Sequence, residues 1–303
     1  MRVLELFAGI GGFAAAFPRS EIVAAVDIDQ SARDVYLANF RSHYFVKEIA
    51  SLPLEWFSRQ NCDVWWMSPP CTPFTQRGEQ RDLDDTRSDA LRHLIQVAAV
   101  LRPSLICLEN VVGFESSRAY SMLQSKWSEA GYQIQTRTFC PSILGWPNRR
   151  PRVYCIASQT SLPSWKSNPA AESMSLAQCV DGSISPETQP ELWLDFKTGE
   201  RYSDAMDRVS TSKDTVTDNL DSKPITACFA SSYGKAIIRS GSYLETPWGY
   251  RRFSPSEVAR LLGYHDEFRL PATLSMERQW HLLGNSLSLP AVRHVFAEFD
   301  LGI

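Results

Sequence analysis

Two four-residue runs, Val64-Trp-Trp-Met67 and Leu105-Ile-Cys-Leu108, carry no charged or amide side chain, and each ends abruptly on chemistry. The first runs into Ser68-Pro69-Pro70-Cys71, the second into Glu109-Asn110. A strand apolar on both sides has to be covered on both faces, which is the pattern of a parallel sheet sandwiched between helices. Parallel strands end on a common rim, and open α/β sheets bind their ligands outside that rim. The two prolines stiffen the exit from the first run, since each fixes φ and withholds an N–H, and the thiol of Cys71 stands at the tip. A small apolar residue closing a strand is the plain alternative, because cysteine is among the most buried residue types.

The flanking segments fit the same layered arrangement. Arg2-Val-Leu-Glu-Leu-Phe7 alternates as a strand and enters Ala8-Gly-Ile-Gly-Gly-Phe13. Glycines between strand and helix permit a tight turn and close backbone approach to a ligand, although this run falls short of the full dinucleotide fingerprint. Ile22-Val-Ala-Ala-Val26 forms a second strand ending at Asp27, where an acid grips an adenosine ribose. Asp27 or Asp29 equally suits an N-cap for the helix that carries Val35 and Leu37. Tyr44-Phe-Val46 is a third strand and brings Glu48 and Ile49 to the same edge.

Thr86-Arg-Ser-Asp89 has the form of a capping box, and it opens a helix whose apolar positions 91, 94, 95, 98 and 101 keep the helical period. Tyr120, Leu123 and Trp127 mark another helix, ending near Gly131. Arg150 and Arg152 precede the strand Val153–Ala157, and in extended chain they would share one face. Surface salt bridges are their plain alternative. From residue 158 to about 222 Ser, Thr, Pro, Asn and Asp dominate, with isolated Trp165 and Trp193, which marks a boundary and a loop-rich insert. Regular structure returns at Ser254-Pro255-Ser-Glu257, a helix start with Pro at its first position. Gly284-Asn285-Ser286 leads to a last helix with Val292, Val295, Phe296 and Phe299 inward.

A hydrophobic share of 44% with 21% charged residues over 303 positions is ordinary for a soluble globule. No apolar run is long enough to span a bilayer, and Met1-Arg2-Val3 leads directly into a strand, so neither membrane nor secretion is expected. The seven cysteines are scattered without a Cys-x-x-Cys pair, against zinc and a disulfide framework and in favour of a reduced interior with no bound metal. The net charge of −3 disfavours indiscriminate polyanion binding. Charge is uneven, however: residues 137–152 hold four arginines and no acid, and residues 223–260 hold six basic residues against Glu245 and Glu257. Such stretches serve either as positioned nucleic-acid contacts or as solvated faces.

In chain order, Phe7-Ala-Gly-Ile-Gly-Gly12, Ser68-Pro-Pro-Cys71, Glu109-Asn-Val111, Arg150-x-Arg152, a variable insert and Gly284-Asn285-Ser286 resemble the S-adenosylmethionine-dependent cytosine-5 methyltransferase family. The motifs span nearly the whole chain outside residues 158–222. This resemblance implies a Rossmann-like class I methyltransferase sheet, α/β with helices on both faces. It assigns residues 1–160 and 270–303 to the catalytic, cofactor-binding domain and 161–269 to a small loop-rich target-recognition domain. It also implies that the Cys71 thiolate adds to C6 of cytosine, since C5 is a poor nucleophile until the ring is made electron-rich. An unperturbed thiol, with a pKa of roughly 8.5, is only slightly ionised at neutral pH, so the site must assist. Glu109 would hold the ring at N3 and the amino group and protonate N3, with Arg150 and Arg152 steadying the base oxygen and nearby backbone. Cofactor contact falls to Phe7, Gly9, Ile10, Gly11, Gly12, Asp27, Ile28, Glu48, Ile49, Ser68, Asn285 and Ser286, with Asp27 on the ribose and Glu48 near the adenine.

Within the family, Pro73-Phe74-Thr75, the short insert, and Ala227-Cys228-Phe229-Ala230 ahead of Tyr233-Gly234 are similar to the type-2 DNA-methyltransferase homologues. Those act on the anticodon-loop cytosine at position 38 of tRNA. Their Cys-Phe-Thr signature has Ala230 here in place of Thr, and Thr72 replaces the usual Gln. A tRNA substrate is therefore expected, because a loop nucleotide leaves its stack more cheaply than one in a duplex. Arg137, Lys235 and Arg239 are expected to contact its phosphates, Cys228 to be structural, and the protein to be a cytoplasmic monomer. DNA is the alternative substrate, as for an enzyme of a restriction–modification system. A module with a dead site that only holds RNA or cofactor is the third reading.

Overall fold

The computed structural model, which describes residues 1–74, 81–162, 174–211 and 223–298, alternates strand and helix over its first half. β1 (Arg2–Leu6), α1 (Gly12–Ala16), β2 (Glu21–Asp27), α2 (Gln30–Asn39), β3 (Tyr44–Val46), α3 (Leu54–Gln60) and β4 (Val64–Met67) come first. α4 (Asp89–Leu101), β5 (Leu105–Asn110), α5 (Arg118–Glu129), β6 (Gln133–Phe139) and β7 (Arg152–Ser158) complete a seven-stranded sheet of order β3-β2-β1-β4-β5-β7-β6. The pairs β3–β2, β2–β1, β1–β4 and β4–β5 are parallel, and β7 runs antiparallel to both β5 and β6. The expected sheet is thus present and mainly parallel, with one reversed strand.

Strand alternation sends the two tryptophans of β4 to opposite faces. Trp65 joins a core made by Leu94 and Ile95 of α4 and Leu123 and Trp127 of α5. Trp66 stacks on Phe13 of α1 at 5.1 Å, and both rings meet Phe296 of the last helix, α10 (Leu289–Glu298). Both indole rings are essentially out of water, at 2% and 1% exposure, which contributes on the order of 3 kcal/mol each. The expected capping box at Thr86–Asp89 does not form. Asp85 instead accepts the Arg87 N–H and starts a 3₁₀ turn over Thr86–Ser88, from which α4 continues with no side-chain cap at Ser88. Phe299, placed inward from the sequence, lies outside the described residues, as do Trp165 and Thr75.

Contacts divide the chain into two compact units, Met1–Phe139 with Pro151–Ser167 and Val292–Ile303, and Cys140–Arg150 with Asn168–Ala291. The second unit holds α6 (Leu176–Cys179), α7 (Phe196–Tyr202), β8 (Asp207–Val209), β9 (Ser242–Thr246), β10 (Gly249–Arg252), α8 (Pro255–Leu262) and α9 (Met276–Gly284). β9 and β10 make an antiparallel hairpin, and β8 adds in parallel to β9. These bounds differ from the division expected at residues 161 and 270, for identifiable reasons. The Trp280 indole of α9 donates to Phe253 O at 2.9 Å, and that of Trp146 donates to Leu261 O at 2.8 Å. At Gly284 an added Cβ would lie 2.4 Å from the Ala230 backbone, so only glycine permits that approach. A fully buried, two-pronged pair between Arg251 and Glu257 braces the start of α8, where the expected Ser254 capping box is formed.

Glu5 stands in the middle of β1 with no exposure, its Oε2 accepting the Tyr36 hydroxyl of α2 at 2.9 Å. Burial pushes its carboxyl from the ordinary 4.5 to about 8, against the opposing pull of that hydroxyl. The unfolded chain therefore releases this proton near 4.5 and the folded chain near 8. Between those values the folded state holds the extra proton, so stability falls as pH rises through the window. Glu5→Gln should remove that dependence. In urea unfolding at pH 5, 7 and 9 the variant is expected to gain on the wild type at each step, by up to about 1.4 kcal/mol per pH unit. Parallel curves for the two proteins would show that Glu5 does not titrate in this range.

Candidate active site

Register sets the geometry of the rim. Leu6 pairs with Val26 on one side and Met67 on the other, and Met67 pairs with Leu108. One residue further along stand Asp27, Phe7, Ser68 and Glu109, with Glu109 paired to Tyr154 and Tyr154 to Arg137. Because β7 is reversed, its first residue, Arg152, lies at the edge where β5 ends. The Arg152 Nε is 3.1 Å from Glu109 Oε1, and both side chains are largely buried.

The loop after β4 is held against the end of β5. Asn110 donates its amide to Pro69 O at 3.1 Å from a fully buried position, and its own Oδ1 accepts the Val111 N–H. Gly113 lies where a Cβ would meet Phe74 O at 2.5 Å, so the backbone after Cys71 is packed directly on glycine. The Phe74 N–H donates back to Cys71 O, and the Phe74 ring meets Phe114 edge-on at 5.1 Å. Cys71 is half-buried. Asn110 and Gly113 were not assigned roles from the sequence, although the adjacency of Asn110 to Glu109 was a usable signal.

Arg150 and Arg152 differ in what they hold, Arg150 taking the nearby backbone. The Arg150 guanidinium is 3% exposed and donates to the carbonyl oxygens of Phe229, Gly284 and Ser286 and to the Cys228 sulfur, all within the second unit. The two-residue spacing fails as a guide because β7 begins only at Arg152, so Arg150 is not on that strand. Its partners make it a staple between two loops of the second unit and leave the contact with Glu109 to Arg152. The Cys228 thiol is engaged by the same staple, in keeping with a structural part.

At the other end of the rim, the ambiguity between Asp27 and Asp29 resolves. Asp29 caps α2, accepting from the Ser31 and Ala32 N–H groups, while Asp27 accepts the Gly9 and Asp29 N–H groups at 2.9 and 3.0 Å. Burial pushes the Asp27 carboxyl up, and those N–H donors pull it back. A carboxylate has about four acceptor sites, so capacity for ribose hydroxyls remains. Phe7, Gly9 and Gly11 all have positive φ, and Ser68 Oγ donates to Phe7 O at 3.1 Å. A Cβ at Gly9 would meet nothing within 4 Å, whereas one at Gly11 would strike Phe40 and Tyr36. Open space therefore lies over Gly9, with Gly11 packed against the protein. Ile28, next to Asp27 in sequence, is 65% exposed. These features fit a nucleoside-bearing methyl donor.

Not every expected contact residue faces outward. Ile10 and Ile49 are buried in the protein, Gly12 begins α1, and Glu48 caps a 3₁₀ turn through the Ala50 N–H while remaining exposed. In the second unit the Ser286 hydroxyl meets that of Tyr264 at 2.5 Å, and exposed Asn285 turns its amide towards His281 at 3.3 Å. Lys235 is ion-paired with Glu277 at 3.0 Å, an exposed contact of small worth. Arg239 lies in the same unit with a left-handed φ of 60°, and Arg137 is on β6 in the first. Arg251, one of the basic residues counted from the sequence, is 1% exposed and presents no charge to solvent.

A mainly parallel α/β sheet thus carries an acid, a glycine turn, a proline-stiffened cysteine loop and a carboxylate–arginine pair along one rim. A model of the C-5 cytosine-specific DNA methylase family matches residues 1–300, and the chain belongs to that family, whose members are S-adenosylmethionine-dependent cytosine-5 methyltransferases. A human relative, tRNA (cytosine(38)-C(5))-methyltransferase, is 28% identical over 96% of this chain and 97% of its own length. Two solved structures share the fold. An Entamoeba histolytica methyltransferase superposes with a TM-score of 0.87 at 23% identity over 100% of this chain and 99% of its own. The Schizosaccharomyces pombe Dnmt2 methyltransferase gives 0.85 at 24% identity over 100% of both chains.

The two arginines should separate on mutation. Arg150→Ala leaves three buried carbonyls without their donor and is expected to cost about 3 kcal/mol of stability. Arg152→Ala should lower methyl transfer at least tenfold with a much smaller change in the denaturation midpoint. Unfolding curves and turnover measured on the same preparations check both, and equal loss of stability in the two variants would contradict the assignment.

Proposed function

We propose that this protein methylates C5 of cytosine in the anticodon loop of tRNA, at position 38, through a covalent bond between Cys71 and C6. The observation that carries the reading is the meeting of Glu109 and Arg152 at the rim where Asn110 holds the Pro-Pro-Cys loop. The chain matches relatives of that named activity along nearly its full length, and this is what favours tRNA over DNA. The target-recognition role falls to the second unit in this reading, with its Lys235 and Arg239, and Arg137 of the first unit, contacting phosphates. A monomer acting in the cytoplasm is the form it takes.

The chain's own residues divide the work. The Cys71 thiolate adds to C6, and Glu109 delivers a proton to N3, so the electron pair displaced from the ring is not left as buried charge. Arg152 holds one carboxylate oxygen of Glu109 and thereby fixes the orientation in which the acid meets the base. The loop carrying Cys71 is stiffened by two prolines and by Asn110, which limits the entropy lost in bringing thiol and ring together. Asp27, Ile28, Glu48 and the Phe7–Gly12 turn would hold S-adenosylmethionine, which when bound would supply an electrophilic methyl group for C5. Transfer of the C5 proton to water, expulsion of the Cys71 thiolate and return of the N3 proton to Glu109 then restore the ring.

Cys71→Ala is expected to abolish methyl transfer, with methyl-donor affinity in calorimetry unchanged. Transfer of radiolabelled methyl to folded tRNA should exceed that to a DNA duplex of the same sequence by more than a hundredfold. Preference for the duplex would overturn the RNA substrate, and wild-type turnover by Cys71→Ala would overturn the covalent mechanism.

A further inference from the structure

The peptide at Gly9 is gripped from both sides. Its N–H donates to Asp27 Oδ2 at 2.9 Å, and its carbonyl accepts the hydroxyl of Tyr44 at 3.1 Å. Tyr44 reaches it from β3, where it pairs with Ala25 two residues before the end of β2. The turn so held is a strained one. Phe7, which is not glycine, has φ 57° and Gly9 has φ 51°, with Gly11 at 85°. A non-glycine residue in the left-handed region costs roughly 1 kcal/mol or more and persists only where neighbours over-determine it. Here they do so, since the Ala8 N–H donates to Val26 O at 3.0 Å and Ser68 Oγ to Phe7 O at 3.1 Å.

We propose that Tyr44 is a positioning residue for the methyl donor, its hydroxyl locking the Gly9 peptide in the orientation that opens the space above the turn. This rests on the reading of the turn as the S-adenosylmethionine site. Tyr44 is suited to the task in two ways. Its ring packs edge-on against Tyr36 at 4.9 Å, and Tyr36 is itself tied to buried Glu5, so the hydroxyl is aimed by a stack that does not depend on the ligand. Burial and the nearby Asp27 and Glu5 carboxyls hold the Tyr44 hydroxyl far above the usual tyrosine range, which keeps it a donor at every working pH. Without that donor the Gly9 carbonyl loses a contact that, together with the Asp27 bond, fixes the plane of the Gly9 peptide. A turn free to rotate must then be ordered by the ligand, and affinity is reduced accordingly.

Tyr44→Phe deletes one oxygen and keeps the ring. Calorimetric titration should show the dissociation constants of both S-adenosylmethionine and S-adenosylhomocysteine raised about five- to tenfold, as one net hydrogen bond predicts. KM for the donor should rise with kcat at saturating donor kept within twofold, and tRNA affinity should not move. Tyr36→Phe is the control: it removes the neighbouring hydroxyl from Glu5 and should lower the unfolding midpoint at least as much, with donor affinity intact. Unchanged donor affinity in Tyr44→Phe, or equal weakening in both variants, overturns the proposal. A wild-type protein that binds neither nucleoside would overturn the methyl-donor reading of the turn itself, an outcome distinct from the other two.

Discussion

The bond from the Ser68 hydroxyl to Phe7 O, at the end of the β1–β4 pair, joins the two halves of the chemistry. On one side of it lies the turn that fits the methyl donor, on the other the stiff loop that ends in Cys71. Neither segment is regular structure, and each needs an external constraint to hold one shape. The sheet supplies it. Four residues of β1 are paired with four of β4, so a shift of register by one residue would turn every apolar side chain of β4 to the wrong face and carry Ser68 away from Phe7. The packing of Trp65 and Trp66 on opposite faces makes such a slip costly, and this protects the spacing between donor and nucleophile.

The same reasoning explains the carboxylate. Glu109 is the penultimate residue of β5, where the parallel neighbour β4 offers only another strand end. The antiparallel neighbour instead brings its first residue to that rim. β7 is that strand, and Arg152 is its first residue. Reversal of a single strand in an otherwise parallel arrangement thus has a chemical result, because it places a side chain from the beginning of a strand beside one from the end of another.

What could be read beforehand follows from how each residue is used. β4 and β5 were legible because Val64–Met67 and Leu105–Leu108 are apolar and buried throughout. β6 was not, since Gln133-Ile-Gln-Thr-Arg-Thr-Phe139 is half-exposed at a sheet edge and shows no strong pattern. The small sheet of the second unit was missed for a related reason: β8 and β10 are three and four residues long and largely polar. Ser254 was correctly seen as a cap because its carboxylate partner lies three residues on, whereas Thr86 gave way to Asp85, whose side chain reaches the Arg87 N–H first. At the site, the motif order gave Cys71, Glu109 and Asp27 their places on the rim. It could not distinguish Arg150 from Arg152, because their difference depends on where a strand begins. Tyr44 and Asn110 act through backbone carbonyls, and a partner of that kind leaves no signature in side-chain identities.

Phe296, near the end of the chain, completes the aromatic cluster with Phe13 and Trp66. Those two rings precede in sequence the helix that covers them, α10, with most of the other elements in between. Until α10 packs on them, one face of the β1–β4 pair carries exposed aromatic surface, the kind of intermediate that invites misassembly or chaperone capture. A polypeptide lacking α10 would keep every residue of the rim, from Phe7 to Arg152, yet leave uncovered the aromatic face on which that rim is built.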